Sequence, residues 1–292
     1  MHHALLGWAA SHGRDLPWRR TRDPWAVLVS ELMLQQTQVP RVVPRYLAFL
    51  ERFPTPAACA AAPPGAVVDA WHGLGYNRRA VRLHDAARVV VDRHGGALPS
   101  SLRELLALPG VGPYTARAVL AFAFEADVGV VDVNAARVHA RLAGRPLRAR
   151  EVQHRADAAV PPGRGWAWNQ AVLDLGATVC RARQPACEAC PLARWCAWRA
   201  ARARSAAAPD PAEATSGVSR PQSRFDGSDR QGRGRLVAAL RSAPVPVSRL
   251  AATMGWPDDE ARARRVAATV VADRLAVLDG DLYRLVGSSV VL

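Results

Sequence analysis

The stretch Leu102–Phe124, "LRELLALPGVGPYTARAVLAFAF", reads as helix, tight turn, helix. Leu102, Leu105 and Leu106 share one face of a first helix, and Ala116, Val119, Leu120 and Ala123 one face of a second. Between them Gly110 and Gly112 permit backbone conformations closed to other residues, and Pro113 suits the first turn of the next helix. Backbone N–H groups then face outward at a helix N-terminus, so Gly110, Val111 and Gly112 are candidates for holding a phosphate. A glycine turn that merely joins two helices is the ordinary alternative.

Helical stripes of this kind recur over residues 1–203, which predicts a mainly α protein. At 292 residues the chain can bury a sizeable core and has room for a second, small domain. Its formal net charge of +14 points to a polyanionic partner, nucleic acid before any other. All 39 basic residues are Arg, and no Lys occurs. The N-terminus "MHHALLGWAASHGRDLPWRR" lacks a basic start followed by an apolar core, and no run approaches the roughly 18 apolar residues of a membrane span. Both point to a cytoplasmic chain with no membrane partner. Its five cysteines are then metal ligands or buried thiols rather than a disulfide framework.

Residues 204–231, rich in Ser, Pro, Gly, Ala and charge without apolar periodicity, read as a flexible linker. Beyond it, residues 232–292 carry a stripe of Leu236, Val237 and Leu240, then "VSRLAATMG", opening on a Ser cap and closing on Gly. A third helix, "DDEARARRVAATVVADRL", follows, and then "LAVLDGDLYRL", a hairpin turning at Asp279-Gly280. Three short helices and a hairpin suggest a winged-helix-like domain, whose third helix would offer Arg262, Arg264, Arg265 and Arg274 to DNA.

Cys180, Cys187, Cys190 and Cys196 form C-x6-C-x2-C-x5-C over residues 180–196. Four thiolates in one short loop can wrap a metal centre, zinc or a cubane [4Fe-4S] iron–sulfur cluster. Structural zinc sites usually pair two close knuckles, and here only Cys187 and Cys190 are so spaced, which favours the cluster. Arg181, Arg183 and Arg194 decorate the loop as phosphate ligands or as a solvated basic surface. Cys59, in "PAACAAAP", reads as a small buried hydrophobe.

Two acids stand out. Glu31 lies in a helical pattern with Val27, Leu28 and Leu34 on its own face, where an apolar setting favours the protonated form. Asp132, in "VVDVNAARVHARL", precedes a helix as an N-cap, where accepted N–H bonds should keep it ionised. Two acids pushed apart in this way can divide acid and anion roles.

"LPWR" (Leu16 to Arg19), "SELMLQQTQV", "GLGY" (Gly73 to Tyr76), "LPGVGPYTA", Asp132 and the four-cysteine loop together resemble, in that order, the MutY family of adenine DNA glycosylases, over about residues 5 to 198. The resemblance implies a two-lobed helix–hairpin–helix DNA glycosylase fold over residues 1–203, acting as a monomer on double-stranded DNA with adenine mispaired with 8-oxoguanine or guanine. It implies that Glu31 protonates a flipped-out adenine and that Asp132 stabilises the oxocarbenium-like sugar. Tyr114 matches a catalytic Tyr of part of the family, and Asn134 a residue supporting Asp132. Arg14, Trp18, Arg19 and Gln170 match residues around the adenine, and Gln36 and Tyr76 those that wedge into the base stack. The chain departs from the family at Val133, where many relatives have Gly, at Asn77, where a second Tyr is common, and in a tail too short for a Nudix-like inspection domain. A thymine or uracil mismatch glycosylase is the nearest alternative. An endonuclease III-like lyase would need Lys where Tyr114 stands, and a non-enzymatic DNA-binding protein would need neither acid.

Overall fold

The computed structural model describes residues 1–218 and 224–287, and it is mainly helical, as the stripes predict. Among the described residues no helix is long and apolar enough to cross a membrane. The chain divides into two compact units. The first comprises Met1–Val27, Ser100–Leu106 and the described residues from Val111 to 218; the second comprises Leu28–Pro99, Ala107–Gly110 and 224–287.

In the first unit the helices Val133–Ala143 and Gly165–Thr178 pack together, with buried Ala135, Ala136, Val172 and Leu175 among their core residues. Asp132 caps the first of these, and Gly144, in the left-handed region at φ 68°, ends it. Residues 205–218, expected to be a flexible linker, instead lie against this unit. Ala212 and Thr215 are buried, Thr215 Oγ1 accepts from Leu147 N (3.1 Å), and Ser216 N donates to Leu147 O (3.0 Å). The reason is electrostatic. Arg141 is fully buried and stacked on Trp198, and Asp210 supplies its carboxylate partner.

In the second unit Phe49 and Trp71 meet edge to face (6.0 Å between centroids), and Leu83, Ala86, Ala87 and Val90 form the buried face of the helix Arg78–His94. Cys59 is wholly buried as expected, and burial pushes its thiol up to about 12, leaving it an inert core residue.

The tail belongs to this second unit. Its helices Asp229–Leu240, Leu250–Met254 and Glu260–Ala272 bury Leu236, Val237, Leu240, Met254, Val266 and Val270 against one another. Strands β1 (Val245–Pro246), β2 (Ala276–Asp279) and β3 (Leu282–Leu285) form an antiparallel sheet in the order β1-β3-β2. The hairpin turns one residue later than expected: Asp279 pairs with Leu282, so Gly280 (φ 55°) and Asp281 form the turn. Ser248 caps nothing, because a 3-10 turn, Val247–Arg249, occupies that position. The first helix begins at Asp229 rather than 232, capped by the Ser228 side chain, which accepts from Gln231 N.

Ion pairs join the tail to the rest of its unit: Arg241 to Asp69 (2.8 Å), Arg78 to Asp273 (3.4 Å), and Arg274 to Asp85. Backbone contact is as close. A Cβ on Gly65 would fall 2.2 Å from Val286 O, so only glycine fits. The third helix is not a free basic face, because Arg262 and Arg265 pair with Asp229 and Arg264 pairs with Glu260, while Arg274, expected on it, lies beyond its end and is held by Asp85.

Asp210→Ala leaves the buried Arg141 charge without its counter-ion. The expected cost is about 3 kcal/mol in urea unfolding, with faster proteolysis within residues 205–218, because those residues lose their anchor. Unchanged stability and cleavage would show that the segment is held by other contacts.

Candidate active site and nucleic-acid interface

The positions singled out from the sequence are distributed over both units, and each unit builds its own set. In the first, Asp132 Oδ1 accepts from the backbone N–H groups of Asn134 (2.8 Å) and Ala135 (2.7 Å), and Oδ2 from Asn134 Nδ2 (2.8 Å). Asn134 Oδ1 in turn accepts from Arg137 Nη2 (2.7 Å), and Arg137 Nε donates to the carbonyl of Cys180 (2.7 Å). A continuous hydrogen-bonded path therefore runs from the capping carboxylate to the first cysteine of the loop.

The cap was expected to keep Asp132 ionised, and the depth of the site opposes that effect. Burial raises its pKa above the usual carboxylate value, outweighing the opposing effects of the hydrogen bonds from Ala135 and Asn134 and the Arg137 charge.

Arg14 and Arg19 converge on Asp174, a fully buried acid that sequence reasoning missed. Arg19 binds it through Nη1 and Nη2 (2.7 and 2.8 Å), while Arg14 donates its backbone N (3.0 Å) and Nε (2.5 Å). Burial alone would raise the Asp174 pKa, but the two guanidinium groups hold it below the usual range. The signal was an acid inside the apolar "WNQAVLDLG" helix, which needs a cation. Trp18 is buried on the 3-10 turn Pro17–Arg19, Gln170 is buried on the helix Gly165–Thr178, and Tyr114 is half-buried in the first turn of Pro113–Phe122.

In the second unit Glu31 is 4% exposed, in a helix whose Leu28, Leu32 and Met33 are buried with it, so the acid sits in an apolar setting as expected. Gln36 (φ 55°) and Tyr76 (φ 47°) both occupy the sparsely populated left-handed region and both remain exposed. One side chain holds the two loops in place. Buried Arg79 donates to the carbonyls of Leu32 (2.7 Å), Met33 (2.9 Å) and Gln35 (2.5 Å) on one side, and of Leu74 (3.2 Å) and Gly75 (3.0 Å) on the other. Thr37 Oγ1 accepts as well (3.0 Å). Burial lowers the Arg79 pKa to about 10, so the group stays charged near neutrality. Its signal in the sequence was weak: Arg79 shares a helix face with Leu83, Ala86 and Val90.

At the hairpin turn Gly110 is in the left-handed region (φ 80°), and a Cβ there would meet Arg82 Cβ at 2.7 Å, so glycine is required twice over. Gly112 differs from expectation. It is extended and unobstructed, and serves as the N-cap residue of Pro113–Phe122.

The four loop cysteines line one small cavity together with Arg141 and Trp198. Arg141 Nη1 donates to Cys180 Sγ (3.4 Å), and the backbone N of Arg199 donates to Cys196 Sγ (3.5 Å). Among the described residues no three His, Cys, Asp or Glu side chains converge on a point as a single ion requires. Burial pushes Cys190 up to about 11 and raises Cys180 and Cys196, and charge on the neighbouring sulfurs adds to the effect. Thiols buried and crowded in this way would lose their protons to a bound cationic centre, and the N–H donors to sulfur are compatible with one.

Comparison with known proteins agrees with these features. Residues 29–162 match the HhH-GPD superfamily of base excision DNA repair proteins. The chain is 42% identical to the adenine DNA glycosylase of Mycolicibacterium smegmatis, over 95% of this chain and 92% of that protein. It is 41% identical to human adenine DNA glycosylase over 66% of this chain and 38% of the human protein. Among solved structures it resembles a thermostable thymine-DNA glycosylase, with a TM-score of 0.63 and 30% identity over 68% of this chain and 94% of the other. Hairpin, buried acids and full-length similarity agree, and the chain belongs to the adenine DNA glycosylase family of helix–hairpin–helix base excision repair proteins.

Proposed function

We propose that the protein removes adenine mispaired with 8-oxoguanine or guanine by monofunctional hydrolysis of its N-glycosidic bond. Adenine must first leave the stack, because the bond cannot be reached within a duplex. Arg14, Trp18, Arg19 and Gln170 would then bind the base, with Asp174 fixing the two arginines. Glu31, kept from water, donates a proton to the purine and makes it a better leaving group. Asp132 faces the developing sugar cation, supported by Asn134, and Tyr114 assists beside it.

The observation that carries this reading is the geometry of Asp132, whose carboxylate is fixed at a helix N-terminus by the N–H groups of Asn134 and Ala135 and by the Asn134 amide. Burial works against its charge despite those bonds and Arg137, and a cation formed during reaction would favour it. Such a group stabilises the transition state more than the ground state. The hairpin Gly110–Gly112 holds backbone phosphate, and Gln36 and Tyr76 fill the gap that the flipped base leaves. Cys180, Cys187, Cys190 and Cys196, which line one cavity, would hold a [4Fe-4S] cluster, and its binding would tie residues 180–196 together. The likeness to a thymine-DNA glycosylase favours thymine removal as the second reading. A panel of duplexes with A, T or U opposite G or 8-oxoguanine separates the two.

Glu31→Gln and Asp132→Asn should each lower single-turnover excision by about a hundredfold or more while duplex binding persists. Near-normal excision by either variant would sink the two-acid mechanism. Because Asp132 acts as an anion and its pKa is raised, wild-type excision should begin to fall on acidification above the ordinary carboxylate range near 3.8, not below it.

With no lysine amine in the chain, borohydride should trap no covalent DNA adduct, and the product should be an intact abasic site. Efficient trapping would restore the lyase alternative.

Protein purified without air should carry about four irons per chain with a broad visible absorbance, and Cys187→Ala should lose both iron and solubility. Stoichiometric zinc without iron would refute the cluster.

A further inference from the structure

Arg141 stands against both ends of the four-cysteine loop. Its Nη1 donates to Cys180 Sγ (3.4 Å), and its backbone carbonyl accepts from Cys196 Sγ (3.3 Å). Packing is close on the same side: a Cβ on Gly144, at the end of the helix Val133–Ala143, would meet the Cβ of Ala197 at 2.7 Å. The first and last cysteines are therefore both held at the last turn of that helix.

The buried guanidinium is divided between two sets of acceptors. Nη1 also donates to the carbonyl of Arg181 (2.8 Å) and Nη2 to that of Ala182 (3.2 Å), so one edge faces the start of the loop. Nε and Nη2 donate to the Asp210 carboxylate (3.1 and 2.5 Å), a forked contact that fixes the plane of the group. Asp210 is itself fixed, because its Oδ1 accepts from Ala212 N (3.0 Å). Without this carboxylate the buried charge would turn to the nearest anions, and when metal binds those are the thiolates. A guanidinium drawn onto the thiolates would release the carbonyls of Arg181 and Ala182.

We propose that Asp210 is a positioning residue of the metal centre, fixing the start of the cysteine loop through Arg141. The proposal rests on the reading of the four cysteines as a cluster site, and it extends that site to an acid outside residues 180–196. Residues 205–218 then belong to the metal-holding structure rather than to a spacer.

The test uses the full chain, purified without air and carrying its metal. Release of iron to excess chelator is followed by the loss of visible absorbance well below the unfolding temperature, and urea unfolding is measured beside it. Asp210→Asn keeps the shape and removes the charge, and it should release iron about tenfold faster. Asp210→Glu, which restores a carboxylate, should release it at a rate nearer that of the wild type. Thr215→Val removes the hydroxyl that accepts from Leu147 N and leaves Asp210 in place. It should lower stability and speed proteolysis within residues 205–218 without faster release, which separates a role at the metal from a general loosening of the segment. Unchanged release from Asp210→Asn, equal release from Asp210→Asn and Asp210→Glu, or equal acceleration by Thr215→Val would overturn the proposal. The cluster reading is judged separately by the metal that the wild type carries. Zinc in place of iron would refute the cluster, and zinc release from the same variants would still decide the role of Asp210; protein without metal would refute both.

Discussion

A guanidinium taken out of water must find acceptors for its five N–H donors, and three buried arginines meet that demand at the points where segments of this chain must be fixed. Arg79 gathers carbonyls from the end of one helix and from the loop before another. Arg137 ties the Asp132 cap to the carbonyl of Cys180, and Arg141 ties the cysteine loop to Asp210. Each fixes irregular backbone that no hydrophobic stripe could position. Lysine, with three donors on one nitrogen, cannot span such sets, and this chain contains none.

The same balance of burial and charge governs the two acids whose surroundings differ most. Asp174 is fully buried and Asp132 partly so, and their proton affinities move in opposite directions. Asp174 has two guanidinium partners, one of them bidentate, and remains a structural anion. Asp132 has amide donors and a more distant arginine, which do not offset desolvation.

Much of the fold was legible because its punctuation is local. Gly110 and Pro113 mark the hairpin, Asp132 marks a helix start, and the alternation of Ala276–Leu285 marks the last two strands. The turn between those strands shifted by one residue because several dipeptides around Gly280 are compatible with a tight turn, and only the pairing register decides. Asp174 and Arg79 were missed for a different reason. Their partners lie 155 and 47 residues away for the Arg19 and Leu32 contacts, and spacing carries no information over such distances. Residues 205–218 looked loose because they are ordered by a buried charge and by hydrogen bonds to Leu147 rather than by an apolar stripe. The proton affinity of Asp132 depends on the depth of its burial, which a capping pattern does not encode.

Arg79 is one flat, rigid group joined to both backbone segments that present Gln36 and Tyr76. On the reading proposed here, those two side chains are the jaws of a caliper whose gap is set by the protein. A caliper of fixed gap does not adapt to what it measures, so the accommodation must come from the DNA. Steps that are well paired and stacked resist being opened to that gap, and steps weakened by a mismatch yield to it. The first discrimination between sound and damaged sequence would then lie in the stiffness of the duplex, before any base reaches the pocket.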